Sequence, residues 1–212
     1  MPRRRASVGL GRIVAELGTL DDGDDTTTAV LDAAAALLGA HGLRRWSVDD
    51  VADRAGVGRT SVYRRFGNRD DLVHAVLARE LRQTFAAIDA AAARCDTLED
   101  KVVEGAMVAL EALRTSLVDQ LLRSDPATFL PFLTTDAGPL IAIARQILSA
   151  GARQAGLAVE ASQLDELAEV GARLGLSFIL TRDTVLPVDD PDALRASVRR
   201  FLGPVMLSLR AA

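Results

Sequence analysis

Cysteine is almost missing from this sequence: Cys95 stands alone among 212 residues. No intramolecular disulfide can form, which fits a reducing compartment. Histidine is nearly as scarce. His41 and His74 are the only two, and neither pairs with Cys95 as base and nucleophile or falls at metal-ligand spacing. His41 suits the end of a helix, where a cation meets the dipole, and His74 the interior of a later helix. One lysine, Lys101, is present, and no glycine-rich loop joins it to a Ser or Thr as a phosphate cradle. These gaps point away from an enzyme, a metal site or a bound cofactor. No apolar run reaches the length of a membrane span, so no membrane partner is expected. The opening "MPRRRASVGLGRIVAEL" mimics an export signal, but Arg12 and Glu16 cut its apolar stretch. No small-residue cleavage site follows. The chain is expected to stay in the cytoplasm, with residues 1–25 as a charged extension. Its arginines suit a basic arm laid along a phosphate backbone.

Strand-like alternation is missing too. About half of the residues are apolar and only 4% aromatic, and the excess of Ala, Leu, Arg and Glu favours helix. The expected class is all-α, with about nine helices. Val30, Leu31, Ala34, Leu37 and Leu38 recur on one helix face, and Gly39 and Gly42 bracket its end. Ser47 and Asp50 stand at capping-box spacing, with Trp46 and Val51 placed as a hydrophobic staple. Gly56 closes that second helix. A third, Arg59–Phe66, ends at Gly67, a left-handed position in expectation. Asn68 then caps a long fourth helix. Further starts fall at "TLED" (97–100), at Pro126 and at Asp190-Pro191. Gly203-Pro204 should bend the last helix.

Charge is unevenly spread. The chain carries a net −4, yet residues 44–69 hold seven arginines against three aspartates. A polyanion would have to meet this local patch. At 100° per residue, Val62 and Phe66 share the buried face of the third helix. Thr60, Ser61 and Arg64 lie opposite, Tyr63 and Arg65 flank them, and Arg59 sits nearer the buried side. Arg can take guanine O6 and N7 with two parallel bonds, and Ser or Thr can meet donors or acceptors. Tyr and the flanking Arg suit phosphate oxygens. A helix, the turn "AGVG" and a second short helix form a helix-turn-helix. Read blandly, the arginines are a solvated face or a docking surface of a helical adaptor that binds another protein.

The stretch "TTTAVLDAAAALLGAHGLRRWSVDDVADRAGVGRTSVYRRFGNRDDLVHAVL" resembles the N-terminal DNA-binding domain of TetR-type transcriptional regulators. The match covers about residues 26–78 and is most specific in "SVDDVADRAGVGRTSVYRRFGNRDDL". Gly67 and the bulky Trp46 depart from the usual pattern. The resemblance implies that Arg59, Thr60, Ser61, Tyr63, Arg64 and Arg65 lie on the recognition helix. Arg69 then matches a phosphate-holding position after the turn, and Ser47 the hydroxyl that opens the second helix. It implies a homodimer on a palindromic double-stranded DNA operator, and a repressor released by a small-molecule effector. Residues 79–212 become the effector-binding and dimerisation domain. Met107, Phe129, Phe132 and Phe178 are candidates for its pocket. Gly171 and Gly175, with Phe201 on the last helix, are candidates for a dimer seam.

Overall fold

The computed structural model describes residues 24–43, 45–154, 156–157, 159–181 and 183–211, without the side chains of 206–211. The arm expected in residues 1–25 lies outside the described residues, save Asp24 and Asp25. Ten helices and no strand occur among the described residues. They are α1 (Asp25–His41), α2 (Val48–Ala55), α3 (Arg59–Phe66), α4 (Arg69–Ala93), α5 (Leu98–Thr115), α6 (Leu117–Ser124), α7 (Pro126–Leu133), α8 (Gly138–Gln154), α9 (Ala161–Leu180) and α10 (Pro191–Ala211). None is by itself long and apolar enough to cross a membrane.

The chain divides into two compact units, and the division falls inside α4. The first is Met1–Arg82 with Ser116–Thr134, so α6 and α7 pack with the N-terminal helices. Its core gathers Val30, Ala34 and Leu38 of α1, Val51 of α2, Val62 of α3, Leu72 and Val76 of α4, and Leu121 of α6. Burying each Val or Leu side chain of this set stabilises the fold by about 1.5–3 kcal/mol before entropy is counted. Polar caps set the ends of these short helices. Asp24 accepts from the Thr27 N–H and opens α1. Asn68 accepts from the Asp71 N–H and opens α4. Gly56 closes α2 at φ 67°, ψ 30°, a left-handed cap. Gly67 has φ 73° but ψ −70°, so its φ is positive as expected while its ψ lies outside the left-handed helical region.

The second unit is Gln83–Thr115 with Thr135–Ala212. Here α9 packs on α8 and α5, and α10 packs on α5. Leu157 and Leu164 centre an apolar cluster with Leu98, Val102 and Leu167. Ion pairs tie α10 to α5: Arg195 Nε to Glu104 at 2.5 Å and Arg199 Nη2 to Asp100 at 2.7 Å. Helix α10 continues through Pro204.

Candidate nucleic-acid interface

Helices α2 and α3 are eight residues each, too short to hold their shape in water alone. Packing and caps hold them. Ser47 Oγ accepts from the Asp50 N–H at 3.2 Å, and Asp50 Oδ2 accepts from the Ser47 N–H at 2.7 Å. The Ser47 hydroxyl also donates to the same carboxylate at 2.8 Å. That bond, and then the backbone one, holds the Asp50 carboxyl below its ordinary range. The Ser47 hydroxyl is therefore engaged within the cap, on an exposed residue. Trp46 and Val51 are both buried, as a staple requires, and Trp46 Nε1 donates to the Gly42 carbonyl at 3.0 Å.

On α3, Val62 and Phe66 face the core. Arg59, Thr60, Tyr63 and Arg64 are exposed, while Ser61 is half-buried. Arg59 reaches out to Asp49 at the start of α2, at 2.9 Å. It also lies over the Tyr63 ring, 5.3 Å from the centroid, and donates to the Tyr63 hydroxyl at 3.5 Å. The Tyr63 bond first, and the Asp49 charge next, raise its pKa further. Arg65 turns back toward α1. Its Nη2 meets Asp24 Oδ2 at 2.6 Å and its Nη1 meets Thr27 Oγ1 at 2.9 Å. Arg64 is the arginine of α3 that makes no ion pair or hydrogen bond among the described residues.

Arg69, at the start of α4, is half-buried and has partners within its own chain. Its guanidinium stacks on the Trp46 ring at 4.1 Å, donates from Nε to the Trp46 carbonyl at 3.2 Å and from Nη2 to the Leu43 carbonyl. Burial lowers its pKa, and Asp70 partly offsets this. The structure thus assembles Thr60, Tyr63 and Arg64 into one outward face. Ser47, Arg65 and Arg69 sit around it with partners of their own.

A family model described as bacterial regulatory proteins, tetR family, matches residues 30–76. A second, the bacterial tetracyclin repressor C-terminal domain, matches residues 97–204, over half of the chain. The chain belongs to the TetR family. As a TetR-family protein it is a DNA-binding transcriptional regulator that acts as a dimer. The TetR family repressor AlkX from Dietzia sp. strain DQ12-45-1b, implicated in biodegradation of n-alkanes, shares 28% identity at a TM-score of 0.63. That match covers 85% of this chain and 97% of AlkX. The fatty acid degradation regulator FadR from Bacillus halodurans shares the fold at 13% identity and a TM-score of 0.55, over 86% of this chain and 96% of FadR. A TetR-family regulator from Streptomyces coelicolor A3 does so at 20% and 0.53, over 90% and 99%. No curated protein sequence matches significantly.

In the second unit of this TetR-family chain, Met107 and Phe178 line a cavity of about 420 Å³ together with Leu110, Leu113 and Leu194. Arg114 stands at its wall, donating to the Val188 carbonyl and to Asp189 at 2.8 Å. The other two pocket candidates belong to the first unit, where Phe129 is buried and its ring centroid lies 6.1 Å from that of Phe132. Gly171 is exposed and Gly175 half-buried. A Cβ added at either would meet a leucine of its own chain at ordinary contact distance, Leu148 for Gly171 and Leu113 for Gly175. Val170 and Leu174 beside them are more than half exposed, and Phe201 on α10 is 62% exposed. Sequence reading did not single out Asp24, Thr27, Asp49, Leu110 or Arg114. Asp24 and Arg65 are 41 residues apart, and no local pattern announces such a pair.

Proposed function

We propose that this chain is a homodimeric repressor that reads a palindromic operator through α3 and leaves it when a small molecule fills the cavity of the second unit. In this reading residues 26–78 read DNA, and residues 79–212 bind effector and pair. The observation that carries it is the exposed face of α3. Thr60 and Arg64 stand free on a helix whose opposite side is anchored by Val62 and Phe66. An unpaired guanidinium on a rigid rod suits the two acceptors of guanine. Tyr63 and Arg59 suit the flanking phosphates. The sign of regulation follows AlkX, a repressor in its own system. An effector for the cavity is apolar where it meets Met107, Leu110, Leu113, Phe178 and Leu194, and polar where it meets Glu111, Arg114 and Asp189. Such a ligand shifts the balance only by its differential affinity for the DNA-competent and released forms. The site of action is the cytoplasm, where bacterial DNA lies.

Two protomers would pair through the exposed apolar residues Val170, Leu174 and Phe201, with Gly171 and Gly175 allowing close approach. Footprinting the purified full chain on DNA flanking its own gene tests the proposal. The expected result is two protected half-sites about 34–36 Å apart, in successive major grooves. Binding should weaken by orders of magnitude between about 50 and 200 mM salt. Protection of a single asymmetric site, or none, overturns the operator reading.

A further inference from the structure

Two of the three arginines of α3 are occupied by carboxylates of their own chain. Asp49 holds Arg59 at 2.9 Å and Asp24 holds Arg65 at 2.6 Å. Both pairs reach outside α3, one to the start of α2 and the other to the cap of α1. Asp24 lies outside the matched segment of the DNA-binding family model, which begins at residue 30. Each pair stands where the flanks of α3 would meet the sugar-phosphate backbone if Arg64 faced the bases. A guanidinium on a carboxylate and a guanidinium on a phosphate use the same donors in the same fork geometry. The two acceptors therefore exclude one another unless the arginine is shared.

We infer that Asp24 and Asp49 are positioning residues for DNA binding, standing in for phosphate on Arg65 and Arg59 and setting how strongly the protein grips DNA regardless of sequence. This rests on the reading of α3 as the operator-reading helix. In the free protein the two carboxylates hold the flanking guanidinium groups against their own chain. On DNA each arginine must leave its aspartate before it can neutralise a phosphate. Counterions released from DNA are then partly offset by cations drawn to the vacated carboxylate. Both the affinity and its salt dependence are damped. Arg64, with no such rival, contacts DNA without this cost.

The test measures binding of the full chain to a fluorescent duplex of about twenty base pairs of random sequence, across a salt series. Asp24→Asn and Asp49→Asn keep the size of each side chain, and at the cap of α1 Asn serves as well as Asp. Each should tighten binding about two- to fivefold, the range of an exposed ion pair. Each should also steepen the slope of log K against log salt by up to about 0.9, one phosphate. Adding Arg65→Ala to Asp24→Asn, or Arg59→Ala to Asp49→Asn, should abolish both gains. Unchanged or weaker binding with an unchanged slope makes the pairs purely structural and overturns the inference. So does a gain that persists once the arginine is gone. Arg64→Ala on the footprinted operator separates the two levels. If it weakens the operator about ten- to hundredfold while the aspartate variants change nothing, α3 reads DNA and only the competition is refuted. If it changes nothing on operator or random DNA, α3 is not the reading helix and both fall.

Discussion

Arg69 shows how one side chain can have a structural part beside the one its motif implies. The resemblance casts it as a phosphate contact. In the structure it stacks on Trp46 and gathers the Trp46 and Leu43 carbonyls. These contacts hold the loop between α1 and α2 against the start of α4. Arg69→Ala should therefore cost about 1–2 kcal/mol of stability, from the lost stacking and the carbonyls left without a donor. Thermal unfolding by circular dichroism checks this, and an unchanged melting temperature would return Arg69 to the phosphate role. Asp50 carries a pH signature. The Ser47 hydroxyl, and then its backbone N–H, hold the carboxyl below its ordinary range, so the folded chain binds that proton less tightly than the unfolded one. The stabilisation is present above the unfolded value, about 3.9, and disappears as pH falls through the lower folded value. Asp50→Asn should melt lower at neutral pH and lose less than the parent chain on acidification.

Among the helices, the starts were the most legible feature, because a cap is a contact between residues three apart. Ser47, Asn68, Thr97 and Asp190 all accept the expected backbone N–H bonds. Helix α3 has no side-chain cap, only Gly58, so its eight residues depend on Val62 and Phe66 being buried. The end of α1 illustrates what pattern alone does not reveal. Gly39 and Gly42 look alike in sequence as helix terminators, yet they face different neighbours. A Cβ on Gly39 would fall 2.0 Å from Gln120 Oε1, the tip of an exposed side chain that can swing away. A Cβ on Gly42, where φ is +70°, would fall 2.7 Å from the Asp125 Cβ, which cannot move without its helix end. Gly39→Ala should be neutral or stabilise by up to about 1 kcal/mol through helix propensity. Gly42→Ala should destabilise by about 1–3 kcal/mol. Urea melts of the two variants distinguish them, and equal midpoints would refute the contrast.

Assembly is decided by what each unit leaves uncovered. Phe201 is an aromatic ring more than half exposed, and Val170 and Leu174 are large apolar side chains in a similar state. TetR-family proteins act as dimers, and these residues are the ones proposed to meet. Phe201→Glu should raise the dimer dissociation constant about a hundredfold or more, because two copies lose their buried ring in each dimer. Sedimentation velocity reads this directly, with far-ultraviolet circular dichroism showing that the helices persist. A dimer of undiminished strength would place the seam elsewhere.

Helical class, helix starts, the basic island and the buried face of α3 were all readable from the chain, because they depend on residues within a turn or two of one another. Partner choice was not. Arg59, Arg64 and Arg65 are identical in chemistry and nearly adjacent, yet one pairs with Asp49, one with Asp24, and Arg64 makes no ion pair among the described residues. The packing of α6 and α7 with the N-terminal helices, and the gathering of Met107, Phe178 and Leu194 around one cavity, are likewise results of folding. Contacts between residues tens of positions apart depend on how helices cross, and helix crossing is an outcome of packing that no short stretch of sequence encodes.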